Sequence, residues 1–143
     1  MTDDRSSMAL VVRIDAYDQI LTPLAYAYLG SAIYDDVDVL FINWAVKLLS
    51  EDGLTERLSP ATQARDVPIE ALKEQVRDTG LPAELEDVVA ELDDAGVGLY
   101  ACSMAADVFG VGEDDLVDAA DGIEGATWFM TEKAESADVF LQF

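Results

Sequence analysis

Three short, largely apolar runs without helical spacing constrain the fold of this chain more than any other feature. They are residues 8–14 (MALVVRI), 37–43 (VDVLFIN) and 97–101 (VGLYA). A strand that is apolar on successive residues must be covered on both faces. Such strands belong to parallel sheets with helices packed on either side. Helical segments and helix-stop signals separate the runs, and residues 138–143 read as one more, terminal strand. The expected fold class is therefore α/β: a three-layer α/β/α domain with a mainly parallel sheet of about five strands.

The connecting segments fill in the order. Residues 15–18 read as a turn, after which a long helix runs to about Tyr34. Pro23 either sits in its first turn or marks a later start. Residues 44–50 read as a short helix closed by Asp52-Gly53. Residues 54–82 are the least regular part, punctuated by Pro60, Pro68 and Pro82, with a modest helix over 69–79. This insertion is either a loop that covers a site or a plain linker. Residues 83–94 form an amphipathic helix with Leu85, Val88, Val89 and Leu92 on one face, ended by Gly96. After the third strand a helix stops at Gly110, residues 113–116 form a capped turn, and residues 122–134 read as a helix. There is no internal repeat, and a single domain over 1–143 is expected. Gly96-Val97-Gly98 is a helix stop plus a strand start rather than a dinucleotide fingerprint, and no Walker loop is present.

Charge excludes several function classes. The chain has 30 acidic and 8 basic residues and no histidine, a net charge of −22. Phosphate backbones need clustered Lys and Arg, so nucleic acid is not an expected partner. Without histidine there is no His-based triad or general base, and no Cys/His cluster for zinc. The acids are spread over nearly every charged segment. That is the pattern of a protein from a salt-accumulating organism, where carboxylates hold water and salt screens their repulsion; an acidic docking face is the alternative. Residues 1–7 lack a basic leader, and the longest uncharged run, residues 19–34, is short for a membrane span. A cytoplasmic protein without membrane contact is expected.

The one cysteine, Cys102, closes the third strand and opens the helix that ends at Gly110. A thiol at a helix start meets unpaired backbone N–H groups and the positive end of the dipole, which favour the nucleophilic thiolate. Ligands of open α/β sheets bind beyond the carboxyl ends of the strands. The bland alternative is a small buried filler, a common role for free cysteine. One cysteine permits neither an internal disulfide nor a two-cysteine redox cycle.

Laid end to end, these elements make the chain resemble the DsrE/DsrF-like (DsrEFH-like) family of small sulfur-relay proteins. Ala95-Gly96-Val97, then Ala101-Cys102-Ser103-Met104, Asp107 and Gly110, is similar to the family stretch G-V-x-x-x-A-C-x-M-S-M-D-x-x-G. The likeness continues through Glu113 to Leu116 and Gly122 to Thr127. Residues 39–49 resemble F-F-T-F-W-G-L-x-L-L, and residues 13–18 resemble a strand-end R-S-G-D-Y-D loop. The chain departs from these patterns at Ile14-Asp15, Asn43 and Ala105-Ala106. The resemblance, with the acid excess, points to a haloarchaeal member of the family. It implies a three-layer α/β fold, a homo-oligomer (trimer or hexamer), and a cysteine that carries sulfur as a persulfide between donor and acceptor proteins. That role would fall on Cys102, with no cofactor and no metal. The competing class is a non-catalytic oligomeric binding module whose cysteine is incidental.

Around Cys102 the candidate pocket residues are Arg13, Tyr17, Asn43, Trp44, Ser103 and Met104. Arg13 either approaches the thiolate or pairs with a structural carboxylate such as Asp107. Tyr17 and Trp44 either wall a pocket or belong to the core. Residues 19–34 hold no charged residue. Leu21, Leu24, Ala25, Tyr28 and Leu29 can serve the core, which leaves Tyr26, Ala27, Gly30 and Tyr34 as an uncharged face for a subunit contact, unless residues 54–82 fold over it. If the acid excess is an adaptation to salt, the unfolding midpoint should rise steeply between low and molar KCl, as the Debye length falls from ~10 Å at 0.1 M to ~3 Å at 1 M. Equal stability at both extremes would leave the acidic docking face.

Overall fold

The computed structural model describes residues 4–55 and 67–143. In chain order the elements are β1 (Ser7–Val12), α1 (Tyr17–Ser31), β2 (Asp36–Phe41), a 3-10 helix (Asn43–Leu49), α2 (Glu51–Thr55), α3 (Ile69–Asp78) and α4 (Leu85–Asp94). Then come β3 (Gly98–Cys102), α5 (Ser103–Phe109), a 3-10 turn (Glu113–Asp115), β4 (Gly122–Glu124), α6 (Ala126–Phe129), a π-helical turn (Met130–Ala134) and β5 (Val139–Gln142). The five strands form one sheet in the order β4-β3-β2-β1-β5, with every pairing parallel. Val11, Leu40, Leu99 and Phe140 all lie in strands, so the parallel α/β sheet read from the apolar runs is the fold.

The register sorts side chains onto two faces. Met8, Leu10 and Val12 lie beside Val37, Val39 and Phe41, and Leu99 and Ala101 extend the row. All eight are buried. They form one core with Ile20, Leu24 and Ala27 of α1 and Leu85, Val89 and Leu92 of α4. The opposite face carries Ala9, Asp38 and Gly98 in one row and Val11, Leu40, Tyr100 and Gly122 in the next. α6 and the π-helical turn cover it: Trp128 meets Tyr100 edge-on with ring centroids 5.1 Å apart, and Lys133 Nζ lies 3.4 Å from Asp38 Oδ1. Burial pushes the Asp38 carboxyl up, and the Lys133 ammonium opposes that shift. Gly98 is required here, because a Cβ would collide with the Asp38 carboxylate and the Tyr100 ring.

Several local expectations need correction. Residues 122–134 are not one helix. Gly122–Glu124 is an edge strand, which leaves the helix to begin at Ala126; three residues are too few to show a period. α1 starts at Tyr17, inside the expected turn, and continues through Pro23, which is buried within it. Its buried residues are Tyr17, Ile20, Pro23, Leu24, Ala27 and Gly30, whereas Ala25, Tyr28 and Leu29 are exposed. Ala27 and Gly30 were expected outside and form the contact with the sheet instead, because a helix apolar on every side does not reveal its phase. At Gly30 a Cβ would run into the Met8 sulfur. The insertion read over 54–82 falls partly on residues 56–66, outside the described residues. Its second half is the regular helix α3.

α3 is fastened by charge. Lys73 is buried, with its Nζ 2.8 Å from Glu84 Oε2 and 5.9 Å from the centre of the Tyr17 ring. Arg77 donates to the other Glu84 oxygen at 2.9 Å. Glu84 is the residue that opens α4, so its carboxylate joins α3 to α4, and Lys73 extends the contact to Tyr17 of α1. The hydrogen bond from Lys73 holds the Glu84 carboxyl below its ordinary range. A lowered folded-state value stabilises the fold above the unfolded value of ~4.3, and the gain is lost as pH falls through the folded one. Glu84→Gln should therefore cost about 1–3 kcal/mol at pH 7, between an exposed and a fully buried pair. The difference from wild type should close on acidification, as denaturant titrations at pH 7 and pH 3 would show.

Candidate functional site

The loops that leave β1, β2, β3 and β4 gather at the carboxyl edge of the sheet. Cys102 ends β3 and caps α5, with extended backbone angles (φ −65°, ψ 127°). α5 closes at Gly110, whose left-handed conformation (φ 74°) lets the Val111 amide bond back to Ala106. Cys102 is free and buried, 7% exposed, and Glu124 of β4 is its register partner. Ser103 is half-buried, and Met104 projects to solvent at 75% exposure. Val108, one turn on, is also exposed.

The next strand end contributes Asn43 and Trp44. Asn43 is exposed and has φ 51°, the one left-handed non-glycine among the described residues. It turns the chain from β2 into the 3-10 helix, and asparagine tolerates this conformation better than most residues. Trp44 is half in solvent, its ring tilted against Phe109 of α5 with centroids 4.3 Å apart. Two shallow hollows lie beside it. One, about 270 Å³, is bounded by Asp15, Trp44, Lys47, Leu48 and Gly53. The other, about 150 Å³, lies between Lys47 and the carboxylates of Glu51, Asp52, Asp114 and Asp115. Cys102 lines neither.

Two expected neighbours are elsewhere. Arg13 follows β1, with β2 between it and β3, a backbone separation of about 10 Å. It is exposed, and among the described residues it forms no ion pair with Asp107 or any other carboxylate. Tyr17 is fully buried. Its hydroxyl donates to the Ala83 carbonyl at 2.6 Å, and burial raises its ionisation above the ordinary value. It helps wall a groove between α1 and α3 rather than the thiol's surroundings.

Lys47, Phe109 and Glu124 belong to this edge and were not anticipated. Lys47 is one of only three lysines in an acidic chain, a scarcity that could have flagged it. Glu124 was hidden by reading its strand as helix. Among the described residues no group of three or more Cys, Asp or Glu converges on a metal position. No helix there is long and apolar enough to cross a membrane.

The sequence model of the DsrE/DsrF/DrsH-like family matches residues 57–141, which include α3, α4, β3, Cys102, α5 and most of β5. The chain belongs to this family. Solved structures share the fold of this DsrE-like chain over nearly its whole length. The ychN protein from E. coli superposes with a TM-score of 0.67 at 14% identity, covering 96% of this chain and 99% of its own. A protein of unknown function from Methanobacterium thermoautotrophicum gives 0.65 at 16% identity, covering 95% and 98%. One from Bacteroides thetaiotaomicron gives 0.60 at 11%, covering 96% and 95%. No curated protein matches the sequence.

The turn at Asn43 sets the path into Trp44. Asn43→Gly should leave stability within ~0.5 kcal/mol of wild type. Asn43→Val should cost about 1–2 kcal/mol, since a β-branched residue resists positive φ. Urea unfolding in molar KCl measures both, and an equal cost for the two would show that the side chain, not the backbone, matters there.

Proposed function

We propose that this DsrE-family chain is a single-cysteine sulfur carrier. The Cys102 thiolate attacks the outer sulfur of a donor persulfide. A bond forms from Sγ to that sulfur, the donor's S–S bond breaks, and the donor leaves as a thiolate. An acceptor thiolate then attacks the outer sulfur on Cys102 and restores the thiol. Neither step is a net oxidation or reduction, so the exchange needs no metal, cofactor or resolving cysteine within the chain.

The observation that carries this reading is the position of Cys102, at the junction of β3 and α5 on the carboxyl edge of a parallel sheet. Sites of open α/β sheets form at that edge, and the first amides of a helix lack intrahelical partners. The exposed Trp44, Met104 and Val108 supply apolar surface at the same edge for a donor or acceptor protein. Arg13 and Tyr17 take no part.

The second reading is a non-catalytic binding module, and the 7% exposure of Cys102 favours it. Intact mass separates the two. With a polysulfide donor, wild type should gain the mass of sulfur in a form removed by reductant, and Cys102→Ser should gain none. A folded protein that takes up no sulfur, with a thiol alkylated only after unfolding, leaves the second reading standing.

A further inference from the structure

A groove of about 890 Å³ runs between α1, α3 and α4, and Cys102 does not line it. Asp18, Leu21, Ala25 and Leu29 follow one another at helical spacing along its α1 wall, which extends ~16 Å along the helix. Leu72 and Val76 of α3 and Val88 of α4 line the other sides. Ion pairs hold the α3 wall in place, since Lys73 and Arg77 both bind Glu84, at 2.8 and 2.9 Å. Leu29 and Leu81 are left 61% and 63% exposed, so apolar wall stands open to solvent.

We propose that this groove binds an elongated apolar cation, an aliphatic amine or quaternary ammonium, at a site separate from the sulfur-carrier reading. Volume and lining suit a small molecule, because such sites measure roughly 300–1,000 Å³ and are mostly apolar with a few polar groups. Charge selects the head group. The charged side chains that line the groove are Asp18 and Glu91, both carboxylates. The nearby cations, Lys73 and Arg77, are bound to Glu84, and neither lines the groove. A fatty carboxylate would place its anion beside two like charges, in a chain that carries −22. A neutral chain would cover the apolar wall and gain nothing from either carboxylate. An ammonium gains from the carboxylates while its chain lies against Leu21, Leu29 and Val76.

Calorimetric titration in molar KCl, where ion pairing with fully exposed carboxylates is screened, tests this. Decylammonium should bind wild type at one equivalent per chain, and decanoate should bind about tenfold more weakly or less. Replacing both carboxylates together, Asp18→Asn with Glu91→Gln, should weaken decylammonium about fivefold and leave decanol unchanged. Leu81→Lys puts a tethered ammonium and its aliphatic stem into the groove from an exposed position, and should abolish binding with an unchanged far-ultraviolet spectrum. Cys102→Ser should bind decylammonium as wild type does, so this site and the sulfur chemistry stand or fall separately. No binding by wild type, decanoate as tight as decylammonium, or binding that survives Leu81→Lys overturns the proposal. So does a groove closed by a second copy, which would show as a sedimenting multiple of 15.5 kDa that takes up no decylammonium.

Discussion

Two lysines under aromatic rings hold the layers of this protein together. In a chain with three lysines and 30 acids, carboxylates far outnumber the cations that could pair with them. Lys73 and Lys133 are placed between layers. Lys73 lies under Tyr17 and binds Glu84, which joins α3 to α1 and α4. Lys133 binds Asp38 and lies within 6 Å of the Tyr100 and Trp128 rings, at 5.9 and 5.8 Å, which joins the π-helical turn to β2 and β3. A desolvated ammonium gains from both a carboxylate and a ring face, and removing either partner leaves a charge without compensation. The second clamp matters more for the sheet. A single short helical stretch covers that face, and the clamp fixes it over β3, the strand that ends at Cys102.

Much of this architecture was legible in the sequence, and the misses share a physical cause. Val11, Leu40 and Leu99 marked strands because central parallel strands are covered on both faces, whereas Phe140 belongs to the edge strand β5 and is itself exposed. Gly96 and Gly110 marked helix ends because both adopt positive φ, 83° and 74°. β4 escaped because Gly-Ile-Glu is too short to carry a pattern. The phase of α1 escaped because every side of that helix is apolar, so nothing in the sequence distinguished Ala27, which meets the sheet, from Ala25, which meets solvent. The location of Arg13 escaped because strand order is a tertiary property. Cys102 could be placed at a strand end from sequence, but its burial could not, since that depends on how α5 and the neighbouring loops close over the edge.

The edge thus pairs a nearly covered thiol with uncovered apolar side chains. Trp44, Met104 and Val108 are exposed where a chain this acidic could have placed carboxylates at little cost to packing. Exposed apolar groups of this size mark surfaces that meet something. A carrier whose thiol is reached only when a partner docks on such a rim would be protected from stray oxidants, because oxidation of cysteine follows thiolate exposure. Low exposure of Cys102 in one isolated copy is therefore compatible with carriage, and the distinction lies in whether sulfur reaches it.

Charge then links stability and association. Thirty carboxylates repel one another within a chain, and between chains the repulsion grows with each added copy. Salt weakens both terms together, so the conditions that favour the folded chain also favour contact between chains. The two apolar surfaces differ in charge: the groove beside α1 is lined by two carboxylates, Asp18 and Glu91, whereas Asp15, Asp52, Asp107, Glu113, Asp114 and Asp115 are exposed around the thiol edge. With few carboxylates beside α1 and many around the thiol edge, added salt changes the field at the thiol edge far more than at the groove.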